Sequence, residues 1–230
     1  MAIKRKRVTT NEETLVNLAT AKVRATTFFE HNQNVILSVL GGLVLVIGGW
    51  FVYHNLIMQP KEEKAMAQMW MAQVQFEQDS FNLALDNPGG GYSGFLHIIN
   101  DFKGTKAGNL ANYYAGVSYL NLGNFDAALT FLNDFHPAGI IGPVMKHGAL
   151  GDAYSELNQM DKAIDNYKKA ADASENELLT PYYLKKLAML YETQNENVKA
   201  LDIYKRIKAK YPNSNEALSI DKYIARAEAR

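Results

Sequence analysis

The sequence predicts an all-α protein, with a single N-terminal transmembrane helix followed by an α-solenoid of helical repeats. Three observations carry this reading. The run from Val35 to Tyr53 is apolar and free of charge. The remainder of the chain is self-similar at a period of about 35 residues, the length of a helix–turn–helix unit. Nowhere do β-branched residues alternate between turns as they do in strands.

Residues 34–58 contain no Lys, Arg, Asp or Glu, and the 19 residues VILSVLGGLVLVIGGWFVY form their core. At about 1.5 Å per residue, roughly 20 apolar residues cross a ~30 Å hydrocarbon layer. Trp50 and Tyr53 stand at the exit end, where amphipathic rings favour the interface. A buried helix of a soluble domain is the first alternative, but no other part of the chain is apolar enough to wrap it. A cleavable signal peptide is the sharper rival, with Ala65-Met66-Ala67 as a small-x-small site. The apolar run exceeds the usual ~7–15 residues and that triplet lies well beyond it, so the span is expected to be retained.

Charge sets the expected orientation. Lys4, Arg5, Lys6, Arg7, Lys22 and Arg24 precede the span, against Glu12, Glu13 and Glu30, while Lys61 and Lys64 follow it beside Glu62 and Glu63. The excess of basic residues places residues 1–33 in the cytoplasm and 59–230 across the membrane, in the periplasm of a bacterium. Thr10 and Glu13 have the spacing of a capping box, opening a short amphipathic helix through Leu15 and Leu18. Within the span, Gly41 and Gly42 recur as Gly48 and Gly49, with Ser38 one turn earlier. This small-residue face suits close packing on another membrane helix, although glycine is also common in such helices for no specific reason.

Composition narrows the function. The formal net charge is zero, but residues 59–230 alone sum to −3, without a basic stripe for nucleic acid. Cysteine is absent, which removes disulfides, thiolate nucleophiles, cysteine zinc sites and lipoprotein acylation. Gly89-Gly90-Gly91-Tyr92-Ser93-Gly94 matches G-x-G-x-x-G in form, yet it follows a helical pattern rather than a strand. His31, His54, His97, His136 and His147 are scattered without metal-ligand spacing. No cofactor, metal or catalytic residue is expected.

Three segments align: AGVSYLNLGNFDAALTFL (115–132), LGDAYSELNQMDKAIDNYKKA (150–170) and LAMLYETQNENVKALDIYKRIKAKYP (187–212). Each has a small residue (Gly116, Gly151, Ala188), a tyrosine three residues on (Tyr119, Tyr154, Tyr191), a turn residue (Gly123, Asn158, Asn195) and an alanine (Ala128, Ala163, Ala200). These segments resemble the tetratricopeptide repeat. The small residues let the two helices approach, and the turn residues suit a position with φ > 0. The spacing implies insertions near 136–142 and 174–179. A degenerate fourth unit is expected ahead of these, with one long helix over 61–86, a break at Asn87-Pro88-Gly89 and a short helix over 95–102. Asn213 and Glu216 are expected to open a solubilising terminal helix over 213–230, charged through Asp221, Lys222, Arg226 and Glu228. The repeat domain is thus expected over 59–212.

In tetratricopeptide arrays the first helix of each repeat lines a concave groove. The positions that the motif implies are Tyr113, Val117, Leu120, Asp152, Glu156, Tyr182, Lys185 and Met189, able to hold an extended or helical peptide. Packing of Tyr113 and Met189 by their own neighbours is the competing expectation. The Lys/Asn pattern of chaperone-tail-binding repeats is incomplete, because Lys185 has no matching Asn at the next-turn positions.

The whole layout, including Gly94-Phe95-Leu96 and the linker from Lys103 to Ala111, resembles the YfgM-like ancillary subunits of the bacterial Sec translocon. That resemblance implies an inner-membrane anchor, association with SecYEG and with a membrane-anchored periplasmic chaperone of the PpiD type, and contact with emerging polypeptides. The repeats alone imply a partner-binding module. A scaffold for another cell-envelope assembly, such as cell division or cytochrome maturation, and an enzyme accessory are the other readings.

Overall fold

A computed structural model describes residues 10–229, with side chains from residue 20 onward. The basic cluster Lys4–Arg7 and the side chains of the Thr10/Glu13 capping box lie outside the described residues. Every regular element among the described residues is helical, and the chain divides into two compact units, 1–59 and 60–230.

The first unit is dominated by α1 (Thr10–Tyr53), which runs into a π-helical turn over His54–Met58. Among the described residues its large apolar side chains from Val23 to Tyr53 are exposed apart from the half-exposed Ile36, with Leu45 at 77% and Val46 at 70%. An 18-residue window reaches a mean hydropathy of 2.5 with none of it buried, long and apolar enough to cross a membrane. Trp50 stacks on His54 at 5.3 Å near the exit end. Added Cβ atoms at Gly41, Gly42, Gly48 and Gly49 would meet nothing within 4 Å among the described residues.

The second unit is a succession of helices: α2 (Gln59–Glu77), α3 (Phe81–Leu85), α4 (Phe95–Asp101), α5 (Lys106–Asn121), α6 (Phe125–Asp134), α7 (Ile141–Glu156), α8 (Met160–Asp172), α9 (Leu179–Thr193), α10 (Asn197–Lys210) and α11 (Ile220–Glu228). Helices α5/α6, α7/α8 and α9/α10 are the three repeats, each pair packed internally and on the next.

The turn inside each repeat has one geometry. Gly123, Asn158 and Asn195 take φ of 74°, 56° and 62°. After each, an amide returns to the repeat's tyrosine carbonyl: Asn124 to Tyr119, Gln159 to Tyr154 and Glu196 to Tyr191, all at 2.9 Å. A second bond joins each positive-φ residue to the next carbonyl, making a Schellman stop that satisfies otherwise orphaned carbonyls. Glycine, and after it asparagine and aspartate, tolerate that conformation most cheaply, which is why glycine and asparagine recur there.

Close helix approach also follows from the sequence. A Cβ at Gly116 would lie 2.6 Å from Leu132 Cγ, and one at Gly151 would lie 2.5 Å from Tyr167 Cδ1. Ala128, Ala163, Ala188 and Ala200 are wholly buried between helices.

Two sequence expectations are corrected at the ends of the array. The expected helix over 61–86 stops at Glu77, because Asp79 adopts φ of 56° and the chain turns before α3. Asn213 does not cap the last helix. Ser214 Oγ instead accepts from Ala217 N–H at 3.2 Å to open a 3-10 turn (Ala217–Ser219), and α11 follows.

Helix α2 is held to the first repeat by its own first turn. The two carboxylate oxygens of Glu62 accept the amides of Lys106 (2.6 Å) and Ala107 (2.8 Å), free donors at the start of α5. Lys61 Nζ donates to the Lys103 carbonyl at 3.0 Å, and Thr105 Oγ1 caps Gly108 N–H at 2.9 Å.

Candidate functional site

The first helices of the repeats, α5, α7 and α9, bring a polar and aromatic cluster together around Asp152 on α7. Tyr167 from α8 and Lys186 from α9 both donate to Asp152 Oδ1 at 2.6 Å. The Lys186 ammonium also lies 4.9 Å from the ring centre of Tyr182 and 5.8 Å from that of Tyr167, so a cation sits among aromatic faces. Tyr183 completes the wall, stacked on Tyr167 at 6.3 Å and edge-on to Tyr182 at 5.0 Å. Gly148 makes room for it, since a Cβ there would fall 2.1 Å from the Tyr183 hydroxyl.

The electrostatics follow from burial and from that one carboxylate. Burial, and then Asp152, pushes the Tyr167 and Tyr183 hydroxyls above the usual phenol range. Burial, with Tyr114 and Asp152 adding to it, pushes Tyr113 up to about 12. Burial pulls the Lys186 ammonium down, but Asp152 and Tyr182 more than offset this and leave it above its ordinary value. The tyrosines therefore stay neutral donors and Lys186 stays charged at any physiological pH. Asp152 and Lys186 thus form an ion pair with an aromatic surround.

Two depressions flank the cluster and share Ser155, Tyr167 and Lys186. One, of about 440 Å³, adds Met189, Glu192, Thr193 and Arg226. The other, of about 500 Å³, adds Leu120, Phe125, Asp152 and Glu156. The shared residues make them neighbours on one surface, called the groove below.

Leu120, Asp152, Glu156 and Met189 thus lie along this groove, and Tyr182 joins it beside Lys186. Tyr182 and Met189 are 41% and 43% exposed, available to a partner. Tyr113 is spent on Phe135 at 5.5 Å, and Val117 packs against the core that contains Ala128, Leu132 and Ala153. Lys185 stands over Tyr223 of α11, 4.9 Å from the ring centre, while its neighbour Lys186 occupies the groove.

Residues that sequence reasoning passed over are Lys186, Tyr167, Tyr183, Gly148 and the pair Glu192–Arg226. Glu192 is 7% exposed at the end of α9, yet it is a full ion-pair partner. Arg226 of α11 donates to both its oxygens, through Nε to Oε1 at 2.9 Å and through Nη2 to Oε2, and Tyr204 adds a hydroxyl at 2.9 Å. Among the described residues no three His, Asp or Glu side chains converge as a metal site.

Comparison with known families matches three stretches to models described as tetratricopeptide repeat: residues 110–137 and 186–214 to one model, and 147–177 to another. The chain carries tetratricopeptide repeats. No curated protein matches it. The matched stretches take in most of each helix pair α5/α6, α7/α8 and α9/α10, which carry the Asp152–Lys186 cluster and its two depressions. Such repeats are protein-binding units, and protein partners are the function they imply.

Proposed function

We propose that this chain is a non-enzymatic, membrane-anchored protein-binding module of the bacterial inner membrane. Its N-terminus lies in the cytoplasm and its tetratricopeptide domain in the periplasm, where it is an accessory subunit of the Sec translocation machinery. Its partners in this reading are SecYEG, a PpiD-type chaperone and polypeptides emerging from the channel.

The observation that carries the binding function is the groove itself. Tyr182 and Met189 leave large adaptable surfaces exposed beside a fixed cation and carboxylate. Aromatic and Met side chains grip varied apolar residues, and a few charges set the register of an extended or helical segment. The bare apolar surface of α1 supports the anchor, and the basic residues ahead of it support the orientation.

The translocon assignment rests on the resemblance in layout and in the segments Gly94–Leu96 and Lys103–Ala111. Those segments carry specific structural duties. A Cβ at Gly94 would fall 2.4 Å from the Leu85 carbonyl oxygen, and one at Gly108 would fall 2.5 Å from that of Phe102. Lys106 and Ala107 supply the amides that Glu62 holds.

The test is affinity purification of the tagged chain from its native membrane in mild detergent, with partners identified by mass spectrometry. Recovery of translocon subunits and a periplasmic chaperone, lost when 60–230 is removed, is the expected result. Recovery of a different envelope complex, without translocon subunits, would replace this reading with the scaffold alternative.

A further inference from the structure

Outside the groove, helix α2 carries an apolar face that the repeats leave uncovered. Its inner face is buried through Ala65, Met69 and Ala72. On the outer face, Met66 is 48% and Trp70 is 53% exposed, with Ala67 exposed between them. Residues 63, 66, 67, 70 and 77 share one side of a helix, so Glu63 and Glu77 bracket this apolar stretch over roughly 21 Å of axis.

The exposed tryptophan is held in place. Gly89, Gly90 and Gly91 all take positive φ (93°, 64° and 78°), folding the chain back so that Tyr92 meets Trp70 edge-on at 6.0 Å. A tryptophan fixed by an aromatic neighbour loses little freedom on binding, the property of an interface anchor.

The exposed charge along this stretch is predominantly negative. Lys61 and Glu62 are engaged with Lys103 and α5, and Asp86 lies 3.9 Å from His97, which leaves Glu63, Glu77 and Asp79 exposed against Lys64 over 60–90. An apolar ridge between carboxylates complements a helix with an apolar stripe flanked by lysine or arginine. The same acidic rim disfavours an acidic partner.

We propose that the outer face of α2, centred on Trp70 and Met66, is a second docking surface that takes a basic amphipathic helix of a partner protein. It is separate from the groove.

The experiment uses the full chain in nanodiscs of zwitterionic lipid and follows fluorescence anisotropy of a labelled amphipathic Leu/Lys peptide of about 18 residues, with empty nanodiscs as background. A Leu/Glu peptide of the same pattern is the control. The expected result is saturable binding of the Leu/Lys peptide, about ten-fold tighter than the Leu/Glu peptide and weakened by salt. Trp70→Ala and the double variant Glu63→Lys, Glu77→Lys each weaken it about ten-fold, whereas Met189→Asp in the groove leaves it unchanged. Trp70 is exposed, so its variant should keep the wild-type circular dichroism and melting profile. Equal binding of the two peptides, binding no better than empty nanodiscs, or wild-type affinity in both α2 variants would overturn the proposal.

Discussion

Replacing Arg226 with alanine removes the guanidinium that pairs with Glu192, whose side chain is only 5% exposed. The Tyr204 hydroxyl at 2.9 Å would remain, but the carboxylate would lose both charge-assisted bonds from Arg226. Stranding one partner of a buried ion pair costs about 3–5 kcal/mol. The Arg226 side chain is 43% exposed, so water can enter the vacated space and soften the loss. We therefore expect about 2–3 kcal/mol, which for a unit of this size lowers the melting temperature by roughly 5–10 °C. Arg226→Lys should fall between, keeping the charge without the fork. The double change Arg226→Ala, Glu192→Gln should recover part of the loss, because a neutral amide needs no counter-ion. Thermal unfolding of the detergent-solubilised chain by circular dichroism reads the magnitude, and hydrogen exchange in α11 reads the site. A shift under about 0.5 kcal/mol, with unchanged protection of α11, would refute the argument that this ion pair fastens the terminal helix.

Glu62→Gln keeps one acceptor for the α5 amides but removes the charge that favours a helix N-terminus, and should cost about 1 kcal/mol, measured by urea unfolding. At alkaline pH the repeats should weaken. The phenols of Tyr113, Tyr167, Tyr183 and Tyr204 have folded-state pKa values above the unfolded value of 10.0, so their contribution is complete below pH ~10 and falls as the unfolded chain ionises first. A tyrosinate absorbance titration should show these groups ionising late, together with the loss of helix. In the membrane, Gly41→Leu with Gly48→Leu should disrupt co-purification of any membrane-helix partner while leaving the repeat domain's melting unchanged, as no described residue packs on those glycines.

What was legible in the sequence was local and periodic. A residue that must take positive φ announces itself by type, so Gly123, Asn158 and Asn195 marked the three turns. Residues that must be small do the same, and Gly116 and Gly151 marked the close contacts with Leu132 and Tyr167. Gly148 was missed because its reason, the ring of Tyr183, lies in the next repeat and follows no period of its own. The groove was legible only to within one helical position. A step of one residue turns a helix by about 100°, which separates Lys185, over Tyr223, from Lys186, on Asp152. The insertion ahead of α9 hides that register from a motif count.

Charges were the least legible feature, since sequence gives their number and not their partners. Arg226 and Glu228 read as a solubilising surface, yet Arg226 reaches the buried Glu192, 34 residues earlier in the chain, and Glu228 pairs with Lys205 at 3.2 Å. Asp152 read as a groove position open to a peptide, whereas it anchors Tyr167 and Lys186. The early stop of α2 was hidden for a similar reason. Asp79 is a tolerable helix residue by type, and its turn is set by Phe76 packing edge-on against both Phe81 and Phe95.

The central claim is that the repeats hold a polypeptide in the groove beside Asp152 and Lys186. Site-specific photo-crosslinking in the native membrane tests it most directly, with a photoreactive residue placed at Tyr182 or Met189 and, for comparison, at the exposed Lys169 on α8. Adducts to protein partners from Tyr182 and Met189, and none from Lys169, are the predicted result. Equal adducts from all three positions, or none from the groove, would contradict it.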